Sequence, residues 1–457
     1  MLLCVYNVVF FFVFLAYLPL FLWRMIGDRS YRRGLLERTG RVTPSASQDI
    51  LWIHGVSVGE VKAAAPLVAL LQRVAPHVEI VISVTTPTGA NVARSLFPDH
   101  RVIFYPLDFG FFPARSLDRI RPRAVLLMEL ELWPNFLHAA ERRGIPIIVV
   151  NGRISERSFK GYRRVSWLLP QLDRIDLFAV QNETYAARLR ALGVAPERIR
   201  ITGNMKYDSL DIADEGVPRD PEFDRWLNLA PGERVVVVGS THDNEEERFA
   251  RVLLEVEAAL GETLRLLVTP RHPERASAAT DDIVRVLDEA RAEHRVHRLT
   301  DLRASKREHA SARSWIVVDT IGELEKAYSV ADVVFVGGSL VPHGGQNMLE
   351  PVSLGKPTIV GPHVQNFADD VRTLLEERGL IKVDGERELK ERLLTLLRHP
   401  ETGAELVRSG LRVLAAGRGA TTRTYDNVQE VLTRCGVAVL DRRGSEDDLS
   451  SGETAGA

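Results

Sequence analysis

Short apolar runs alternate with helical patterns along most of the chain. From about Asp49 onward the runs are four to six residues long, as expected of strands buried on both faces, and the segments between them repeat apolar residues at a helical period. The predicted strands lie at 50–54, 80–84, 102–105, 124–128, 145–150, 177–180, 235–240, 264–268, 315–318, 333–336 and 357–361. This alternation predicts parallel sheets covered by helices on both faces.

The alternation is interrupted between Asp208 and Arg234, where Asp, Glu and Pro replace the apolar runs. The interruption predicts a linker between two tandem, doubly wound, Rossmann-like α/β domains. The predicted boundaries are a first domain at 25–207, a linker at 208–232, a second domain at 233–440 and a disordered tail at 441–457. Ligands of open parallel sheets bind beyond the carboxyl ends of the strands. We therefore expect the two domains to face a cleft, one holding a donor and the other an acceptor.

The N-terminus follows neither pattern. Leu2 to Trp23 is a run of 22 residues without a charge, which as a helix spans roughly 33 Å, about one bilayer core. Arginines follow the run at positions 24, 29, 32, 33, 38 and 41. Because positive charges mark the cytoplasmic side of an anchor, residues 1–24 predict a single membrane anchor with the remaining chain in the cytoplasm. The alternative is an amphipathic helix that packs within the fold.

The composition argues against several classes of function. The chain has 457 residues and a net charge of −2, so no polyanionic partner such as nucleic acid is expected. The two cysteines, Cys4 and Cys435, are too few for a disulfide framework or a zinc cluster. The sequence has no Gly-x-Gly-x-x-Gly, no Walker A loop and no His-Glu-x-x-His motif, so we predict neither a cofactor nor a bound metal.

The tract from Gly337 to Pro351 carries the strongest functional pattern. It follows the predicted strand 333–336, is rich in glycine and passes into a helix that begins at about Asn347. The N–H groups of a glycine turn before a helix are suited to an anion, and Glu350 is placed to hydrogen-bond paired hydroxyls such as those of a ribose. These features predict a nucleotide site; the alternative is that the glycines only form tight turns.

A second candidate is Glu60, in the turn His54–Glu60 between the first strand and its helix. At the amino end of that helix its carboxylate is placed to take a proton from an attacking hydroxyl. The helix dipole lowers the pKa of such a carboxyl and weakens it as a base, whereas burial raises the pKa. The alternative is a glutamate that only complements the helix dipole.

The same turn contains Gly55-Val56-Ser57-Val58-Gly59, the Gly-x-Ser-x-Gly pattern of a nucleophile elbow. An α/β serine hydrolase with Ser57 as nucleophile is therefore the alternative function. Against it, the elbow falls on the first strand of the sheet. The candidate histidines also lie beyond the linker, at His272, His343 and His363.

Further polar residues follow predicted strands. Glu129 and Glu131 end a buried strand and are costly there unless they are paired or catalytic; the alternative is that one of them caps the next helix. Lys206, where the first domain ends, is either placed to neutralise a phosphate or carboxylate or is a solvated surface charge. In the second domain Arg271 suits phosphate oxygens and Asp319–Glu323 suits a nucleobase, each with a turn or capping role as the alternative.

These motifs, in this order, resemble those of the bacterial 3-deoxy-D-manno-octulosonic acid (Kdo) transferases that act on lipid A precursors. The resemblance extends from the N-terminus to about residue 430 and rests on His54–Glu60, Thr85–Gly89, Glu129–Asn135, Asn151–Ser155, Gln181–Glu183, Gly203–Asp208, Ser240–His242, Pro270–Arg275, Asp319–Leu324 and Gly337–Pro351. It implies an inverting glycosyltransferase of the GT-B architecture that needs no bound metal or cofactor. It further implies CMP-Kdo as the donor co-substrate and a lipid A precursor (lipid IVA) as the acceptor, at the cytoplasmic face of the inner membrane in lipopolysaccharide core biosynthesis.

The resemblance also implies roles for single residues. Glu60 matches the general base of the family, and Glu129 and Lys206 match residues that stabilise the transition state. The CMP-Kdo site matches Pro270, Arg271, Ile321, Gly322, Glu323, Asn347, Met348, Leu349 and Glu350. The chain departs from the family pattern at Gln346 and Met348, which stand where many relatives have His and Pro, and this leaves donor choice open. A nucleotide-binding relative without activity is a third interpretation, which the presence of Glu60 opposes.

Overall fold

Two compact units make up the protein in the computed structural model, which describes residues 2–27, 34–164, 170–210, 212, 217–230, 232–304 and 311–437. The first unit comprises the described residues up to 209 together with 417–437, and the second comprises those from 210 to 416. The predicted tail at 441–457 lies outside the described residues.

In the described part of the first unit, seven parallel strands form one sheet in the order β3-β2-β1-β4-β5-β6-β7. The strands are β1 Ile50–His54, β2 Glu79–Val84, β3 Arg101–Phe104, β4 Ala124–Met128, β5 Ile147–Gly152, β6 Leu177–Val180 and β7 Ile199–Ile201. The α-helices are α1 Leu2–Gly27, α2 Leu35–Arg38, α3 Val58–Val74, α4 Pro87–Leu96, α5 Phe112–Ile120, α6 Pro134–Glu141, α7 Glu156–Arg164 and α8 Glu183–Ala191. The parallel sheet is confirmed, although the edge strand β7 was not predicted, because Ile-Arg-Ile is too short to show a pattern.

Helices bury both faces of this sheet, which explains why its strands are continuously apolar. On one face Leu51 of β1 joins a core cluster with Val61 and Leu67 of α3. On the other face Trp52 meets Phe136 of α6 edge-on, with ring centroids 5.2 Å apart. Truncating a fully buried leucine such as Leu51 to alanine costs about 2–5 kcal/mol. This packed layer fixes the carboxyl ends of the strands, where the candidate site residues begin.

In the described part of the second unit, seven parallel strands again form one sheet, in the order β10-β11-β9-β8-β12-β13-β14. The strands are β8 Val235–Thr241, β9 Arg265–Pro270, β10 Arg295–Arg298, β11 Ser314–Val317, β12 Val333–Val336, β13 Thr358–Val360 and β14 Ile381–Lys382. The helices are α9 Pro221–Leu227, α10 Glu245–Leu260, α11 Ala276–Ala290, α12 Leu299–Ala304, α13 Leu324–Ser329, α14 Leu349–Ser353, α15 Ala368–Glu376, α16 Glu386–Arg398 and α17 Pro400–Gly417.

The C-terminal helix α18, Ala420–Arg434, packs in the first unit, whereas the sequence placed it in the second domain. Its buried side chains Tyr425, Val428 and Leu432 join the core cluster that contains Leu51. An amphipathic helix docks where its apolar face is covered, and its own periodicity does not reveal which sheet covers it. The first unit is therefore built from two separate stretches of the chain, and the second unit lies between them in sequence.

From residue 210 onward, the described part of the predicted linker folds onto the second unit, whereas Asp208 and Ser209 belong to the first. Asp220 caps α9 by accepting two N–H groups of its first turn, both at 3.0 Å. The Asp220 N–H in turn donates to Ser329 Oγ at 2.9 Å. Phe223 and Leu227 of α9 are buried, so two apolar side chains join these hydrogen bonds in attaching this polar segment to the core.

The uncharged N-terminal segment forms the long helix α1. Val8, Phe12 and Val13 are more than half exposed. Asn7 instead faces the unit, where its side-chain amide exchanges two hydrogen bonds with the amide of Asn135, both at 3.0 Å. Among the described residues, no helix combines the length and apolar character needed to cross a membrane, so the predicted spanning anchor is not supported.

Candidate active site

Glu60 lies in the first turn of α3, where the chain leaves β1. Ser57 is the N-cap, and its Oγ accepts the Glu60 N–H at 3.3 Å and donates to Glu60 Oε1 at 2.9 Å. The second carboxylate oxygen accepts the N–H of Val56 at 2.7 Å. This reciprocal Ser-x-x-Glu cap holds the carboxylate, on a residue only 7% exposed, in one orientation at the carboxyl edge of the sheet.

The environment of Glu60 favours its protonated form. Burial raises the pKa of Glu60 and the charge of Glu129 raises it further, while the hydrogen bonds from Val56 and Ser57 lower it. The net direction of the pKa is upward. A carboxylate with a raised pKa is a stronger proton acceptor, as general base catalysis requires.

Two more carboxylates follow β4 within electrostatic reach of Glu60. Glu129 adopts a left-handed conformation with φ of 57°, and its N–H donates to the Val150 carbonyl at 3.0 Å. Burial, together with the charges of Glu60 and Glu129, raises the pKa of Glu131 to about 7, although Trp133 Nε1 donates to its Oε2 at 3.0 Å. Left-handed non-glycine residues are strained and cluster at functional sites. Because their pKa values are raised, Glu60 and Glu131 hold their protons to higher pH than ordinary surface glutamates do.

The helix after these glutamates is capped from another loop. Asp108, 2% exposed, accepts the N–H groups of Asn135 and Phe136 at 3.0 and 2.7 Å, and the remaining N–H of the first turn donates to the Trp133 carbonyl. The alternative that Glu129 or Glu131 caps α6 is therefore wrong. Asp108 was not predicted, because it lies 27 residues away in sequence from the helix it caps.

Lys206 lies in the 3₁₀ turn Met205–Ser209, which packs against α3, the helix that carries Glu60. Asn151, left-handed with φ of 53°, accepts the first N–H of this turn on Oδ1 at 3.0 Å. Asp208 accepts two N–H groups at the start of α18, at 2.7 and 2.6 Å. The turn is thus fixed on both sides, and the backbone of Lys206 is placed beside the helix of the candidate base.

The serine hydrolase alternative is not favoured. The Ser57 hydroxyl is engaged in the cap of α3 with Glu60. His54, at the end of the same strand, is fully buried, with Nδ1 2.9 Å from Ser83 Oγ and a pKa lowered to about 3 by burial. The elbow pattern therefore serves a helix cap.

In the second unit, a protein carboxylate already occupies the start of the glycine tract. Glu245, fully buried at the first position of α10, accepts the N–H groups of Gly338, Ser339 and Leu340 at 2.6, 3.0 and 2.9 Å. It also accepts the N–H of His242 at 2.9 Å. The prediction that the tract offers unoccupied N–H groups to a ligand anion is therefore wrong for these positions. Glu245 organises the loop, and its place in an ordinary acidic first turn gave no sign of this.

The end of the tract enters α14 much as predicted. Asn347 Oδ1 accepts the N–H of Leu349 at 3.1 Å, and its amide donates to Glu350 Oε1 at 2.9 Å. Met348 and Leu349 are buried, so their side chains belong to the core and only their backbone is available to a ligand. The charge of Glu350 adds to burial in raising the pKa of Tyr328, which places the carboxylate beside that ring.

Pro270 and Arg271 follow β9 as predicted. Pro270 is buried at the end of the strand, and the N–H of the exposed Arg271 donates to the Thr241 carbonyl at 3.0 Å. This bond joins the loop after β9 to the loop after β8. Arg271 therefore lies at the carboxyl edge of the sheet, and its charge acts on His242.

Two residues of the segment Ile321–Glu323 are accessible as the prediction of a nucleobase site requires, and the third is engaged in ion pairs. Ile321 is 85% exposed and Gly322 is left-handed with φ of 88°, so both are available to a flat ligand. The Glu323 carboxylate instead pairs with Arg303 at 2.9 Å and Lys326 at 3.3 Å. Its side chain thus serves the fold, and its part in ligand binding stays a prediction.

Each unit gathers its own predicted residues. The first unit places Glu60 and Glu129 within electrostatic reach of each other, at the carboxyl ends of the adjacent strands β1 and β4. The second unit brings Arg271 and the glycine tract to the ends of β9 and β12, which flank β8. Basic and amide groups characterise the second set, and carboxylates the first.

Several known proteins are similar to this chain in sequence or in fold. A family model described as 3-deoxy-D-manno-octulosonic-acid transferase (kdotransferase) matches residues 33–209. The 3-deoxy-D-manno-octulosonic acid transferase of Haemophilus influenzae is 35% identical over 415 residues, 88% of this chain and 92% of that protein. That of Bordetella pertussis is 33% identical, over 86% of this chain and 90% of that protein.

Solved structures show the same architecture at low identity. The UDP-GlcNAc 2-epimerase of Neisseria meningitidis superposes with a TM-score of 0.56 at 14% identity, over 84% of this chain and 100% of that chain. MurG of Acinetobacter baumannii superposes with a TM-score of 0.50 at 15% identity, over 84% and 100%. These likenesses show the fold, two Rossmann-like units of the GT-B type. The identities shared with the two transferases over nearly the whole length show more: the chain belongs to the family of the 3-deoxy-D-manno-octulosonic acid transferases.

Proposed function

We propose that this Kdo transferase takes its sugar from CMP-Kdo and passes it to a lipid A precursor with inversion at the anomeric carbon, using Glu60 as the general base. One observation carries the proposal. Glu60 is a buried carboxylate, oriented through both oxygens by Ser57 and Val56, whose pKa is raised by burial and by Glu129. Neither a bound metal nor a cofactor is part of the proposed reaction.

The proposed step on the acceptor side is a proton transfer joined to bond formation. The acceptor hydroxyl gives its proton to Glu60 as its oxygen attacks the anomeric carbon. The bond from that carbon to the CMP phosphate breaks, and its electron pair leaves with the phosphate. Glu129 and Lys206 are proposed to stabilise the charge that develops at the sugar and the leaving group.

The proposed donor site lies on the second unit. Arg271 suits the phosphate, Ile321 and Gly322 suit the face of the cytosine, and Asn347 with Glu350 suits the ribose hydroxyls. The backbone of Met348 and Leu349 supports that turn, and Pro270 and Glu323 hold the neighbouring loops. This assignment is supported by the exposure of Ile321 and by the hydrogen bond from Asn347 to Glu350.

Glu60→Gln tests the base, because it keeps the shape of the side chain and removes its basicity. Membrane fractions would receive CMP-Kdo and a tetraacylated lipid A precursor, and the Kdo-containing product would be measured. We expect a loss of at least ~100-fold, the usual contribution of a general base. Glu183→Gln is the control, an exposed glutamate in the first turn of α8. Activity of Glu60→Gln within a few-fold of the control would refute the role.

We also propose that the protein works at the cytoplasmic face of the inner membrane, held there by α1. The exposed face of α1 includes Val9 at 57%, Phe12 at 62% and Val13 at 63% exposure, which supports burial in the lipid interface. In a flotation assay with vesicles of mixed neutral and anionic lipid, a smaller fraction of a Val9→Asp/Phe12→Asp variant should move with the vesicles than of the wild type. Leu375→Asp, at an exposed leucine of the second unit, should float normally. Equal flotation of both variants would contradict the proposal.

A further inference from the structure

Three histidine side chains meet beside the glycine tract of the second unit. His242 and His343 stack, with ring centroids 3.6 Å apart and planes inclined by 27°. His272 stands edge-on to His242 at 6.4 Å. The three residues follow β8, β12 and β9, which are adjacent strands, so the cluster lies at the carboxyl edge of the sheet.

The backbone around His242 leaves little freedom for its ring. Ser240 is left-handed with φ of 56°, and a Cβ on Gly337 would lie 2.6 Å from its carbonyl oxygen, so the two loops are in direct contact. A Cβ on Gly338 would lie 3.1 Å from His242 Cδ2. The buried Glu245 binds the N–H groups of both His242 and Gly338. The backbone of His242 is therefore held by the same carboxylate that shapes the tract.

Gln346 is the hydrogen-bond partner of His242. Its Nε2 lies 2.8 Å from His242 Nε2, so the amide donates to an unprotonated ring nitrogen. Turning the amide by 180° presents its oxygen instead, which accepts from a protonated ring. Gln346, where the family pattern has a titratable histidine, can thus satisfy His242 in either protonation state.

Several charged and titratable side chains surround His242. The charged and titratable groups near it are His343, His272, Arg271, Arg275, Asp243, Glu245 and Glu246. Arg275 is paired with Asp243 and Glu246, and Glu245 is engaged by backbone N–H groups. Burial, together with the charges of His343, His272, Arg275 and Arg271, lowers the pKa of His242 to about 4. The ring is therefore neutral at physiological pH.

We propose that His242, His343 and Gln346 bind the phosphate of the nucleotide, and that the histidine pair takes up one proton from solvent as the sugar leaves. This deepens the proposed function and rests on it. The phosphodiester of the donor carries one negative charge, and the released monoester carries a second, with a pKa near 6. The electron pair of the broken bond stays on the phosphate, and the proton taken up by the imidazoles balances the added charge.

Calorimetry with CMP and with cytidine tests the inference on the full-length protein in detergent. Titrations in two buffers with different ionisation enthalpies, between pH 6 and 8.5, give the number of protons taken up. We expect CMP to bind with an uptake approaching one proton at pH 7.5, and cytidine, which lacks the phosphate, to bind with none. CMP affinity should fall as the pH rises.

Variants separate the phosphate subsite from the rest of the site. His242→Gln should weaken CMP by ~10-fold or more, as expected for a lost charge-assisted hydrogen bond, and should abolish proton uptake while leaving cytidine binding unchanged. Gln346→Leu should weaken CMP and spare cytidine. Gln346→Glu should weaken CMP, because its carboxylate repels the phosphate, and should bind it without proton uptake, because the same carboxylate keeps His242 protonated. His399→Gln, an exposed histidine of the same unit, should match the wild type.

The outcomes that overturn the inference differ from those that overturn the function. Normal proton uptake and CMP affinity in His242→Gln, with cytidine bound equally well, would remove the histidines from the phosphate subsite and leave the donor assignment intact. Failure of the wild type to bind CMP at all would overturn the donor assignment and the inference together. Retained cytidine binding shows in each variant that the unit is folded.

Discussion

Ser57 and Glu60 bind each other twice: the Ser57 hydroxyl donates to the Glu60 carboxylate, and the same oxygen accepts the Glu60 N–H. The helix cap and the proposed base are therefore one structural element. The cap orients the carboxylate, and its hydrogen bonds lower the pKa that burial and Glu129 raise. Substitutions of Ser57 should consequently change the pKa of Glu60.

Ser57→Ala should move the acidic limb of the pH–rate profile to higher pH. The variant loses the hydrogen bond that stabilises the ionised carboxylate, so the pKa of Glu60 rises further and more base is needed to ionise it. The lost cap should also lower the free energy of unfolding by about 0.5–2 kcal/mol. Transfer rates measured from pH 5 to 9 check the shift, and Ser57→Thr should restore it.

The result also separates the transferase from a serine hydrolase. If Ser57 were a nucleophile, Ser57→Ala would be inactive at every pH. If Ser57 only caps the helix, the variant should be active once Glu60 is ionised. Near-normal transfer by Ser57→Ala at high pH is therefore expected, and loss of transfer across the whole pH range would contradict the cap role.

Glu131→Gln should make the stability of the protein less dependent on pH. In the folded state the pKa of Glu131 is raised from 4.5 to about 7, so between these values the folded state binds more protons than the unfolded state. Stability is therefore lost as the pH rises through this window, by at most about 3 kcal/mol. Glutamine cannot ionise, so this loss is absent from the variant. The stability of the variant minus that of the wild type should therefore be larger at pH 8 than at pH 5.

Thermal unfolding at the two pH values measures this difference. Glu156→Gln, at a half-exposed glutamate of α7 paired with Lys160 and Arg188, is the control and should give the same difference from the wild type at both pH values. An equal effect of Glu131→Gln at pH 5 and pH 8 would show that Glu131 is ionised normally.

Asp108→Asn should destabilise the first unit and reduce transfer. The two carboxylate oxygens accept the N–H groups of Asn135 and Phe136 and the hydroxyl of Tyr6, whereas asparagine has one acceptor oxygen and turns an NH₂ group toward an N–H. The cost of such an unsatisfied buried group is about 1–3 kcal/mol. Because α6 begins directly after the Glu129–Trp133 loop, the loop should shift as well. Urea unfolding and transfer assays measure both effects.

Asp118→Asn is the matched control for Asp108. Asp118 is largely exposed and pairs with Arg143 at 2.8 Å on the surface. Exposed pairs contribute little to stability, so this variant should unfold within about 1 kcal/mol of the wild type. Equal effects of the two substitutions would mean that Asp108 does not support the loop.

The sheets could be predicted because their strands are buried on both faces and are therefore continuously apolar. Runs such as 124–128 and 333–336 have the predicted bounds in the structure. The strands that were not predicted, β7, β10 and β14, have only two to four residues or carry arginines at their ends. Such strands form because they hydrogen-bond to a neighbouring strand of the sheet, and their own sequences are too short to show a strand pattern.

The site residues that could be predicted are those whose partners lie within the same helix start or strand end. Glu60 follows from a helix start, and Asn347 and Glu350 from another. Asp108 and Glu245 act on backbone N–H groups 27 or more residues away, and nothing in their local sequence distinguishes them from surface acids. Contacts of that kind depend on the folded chain, so a single sequence does not contain a visible sign of them.

Glu245→Gln should loosen the glycine tract and weaken nucleotide binding. Four N–H groups converge on the two oxygens of this buried carboxylate, and glutamine replaces one oxygen with a donor that repels them. We expect a lower melting temperature and a CMP affinity reduced ~10-fold, because His242 and Gly338 lose a shared anchor worth about 1–3 kcal/mol. Glu247→Gln, on the surface of the same helix and paired with Arg251, should change neither quantity. If Glu245→Gln bound CMP and melted like that control, the tract would keep its shape without the carboxylate, and its glycines alone would account for the loop.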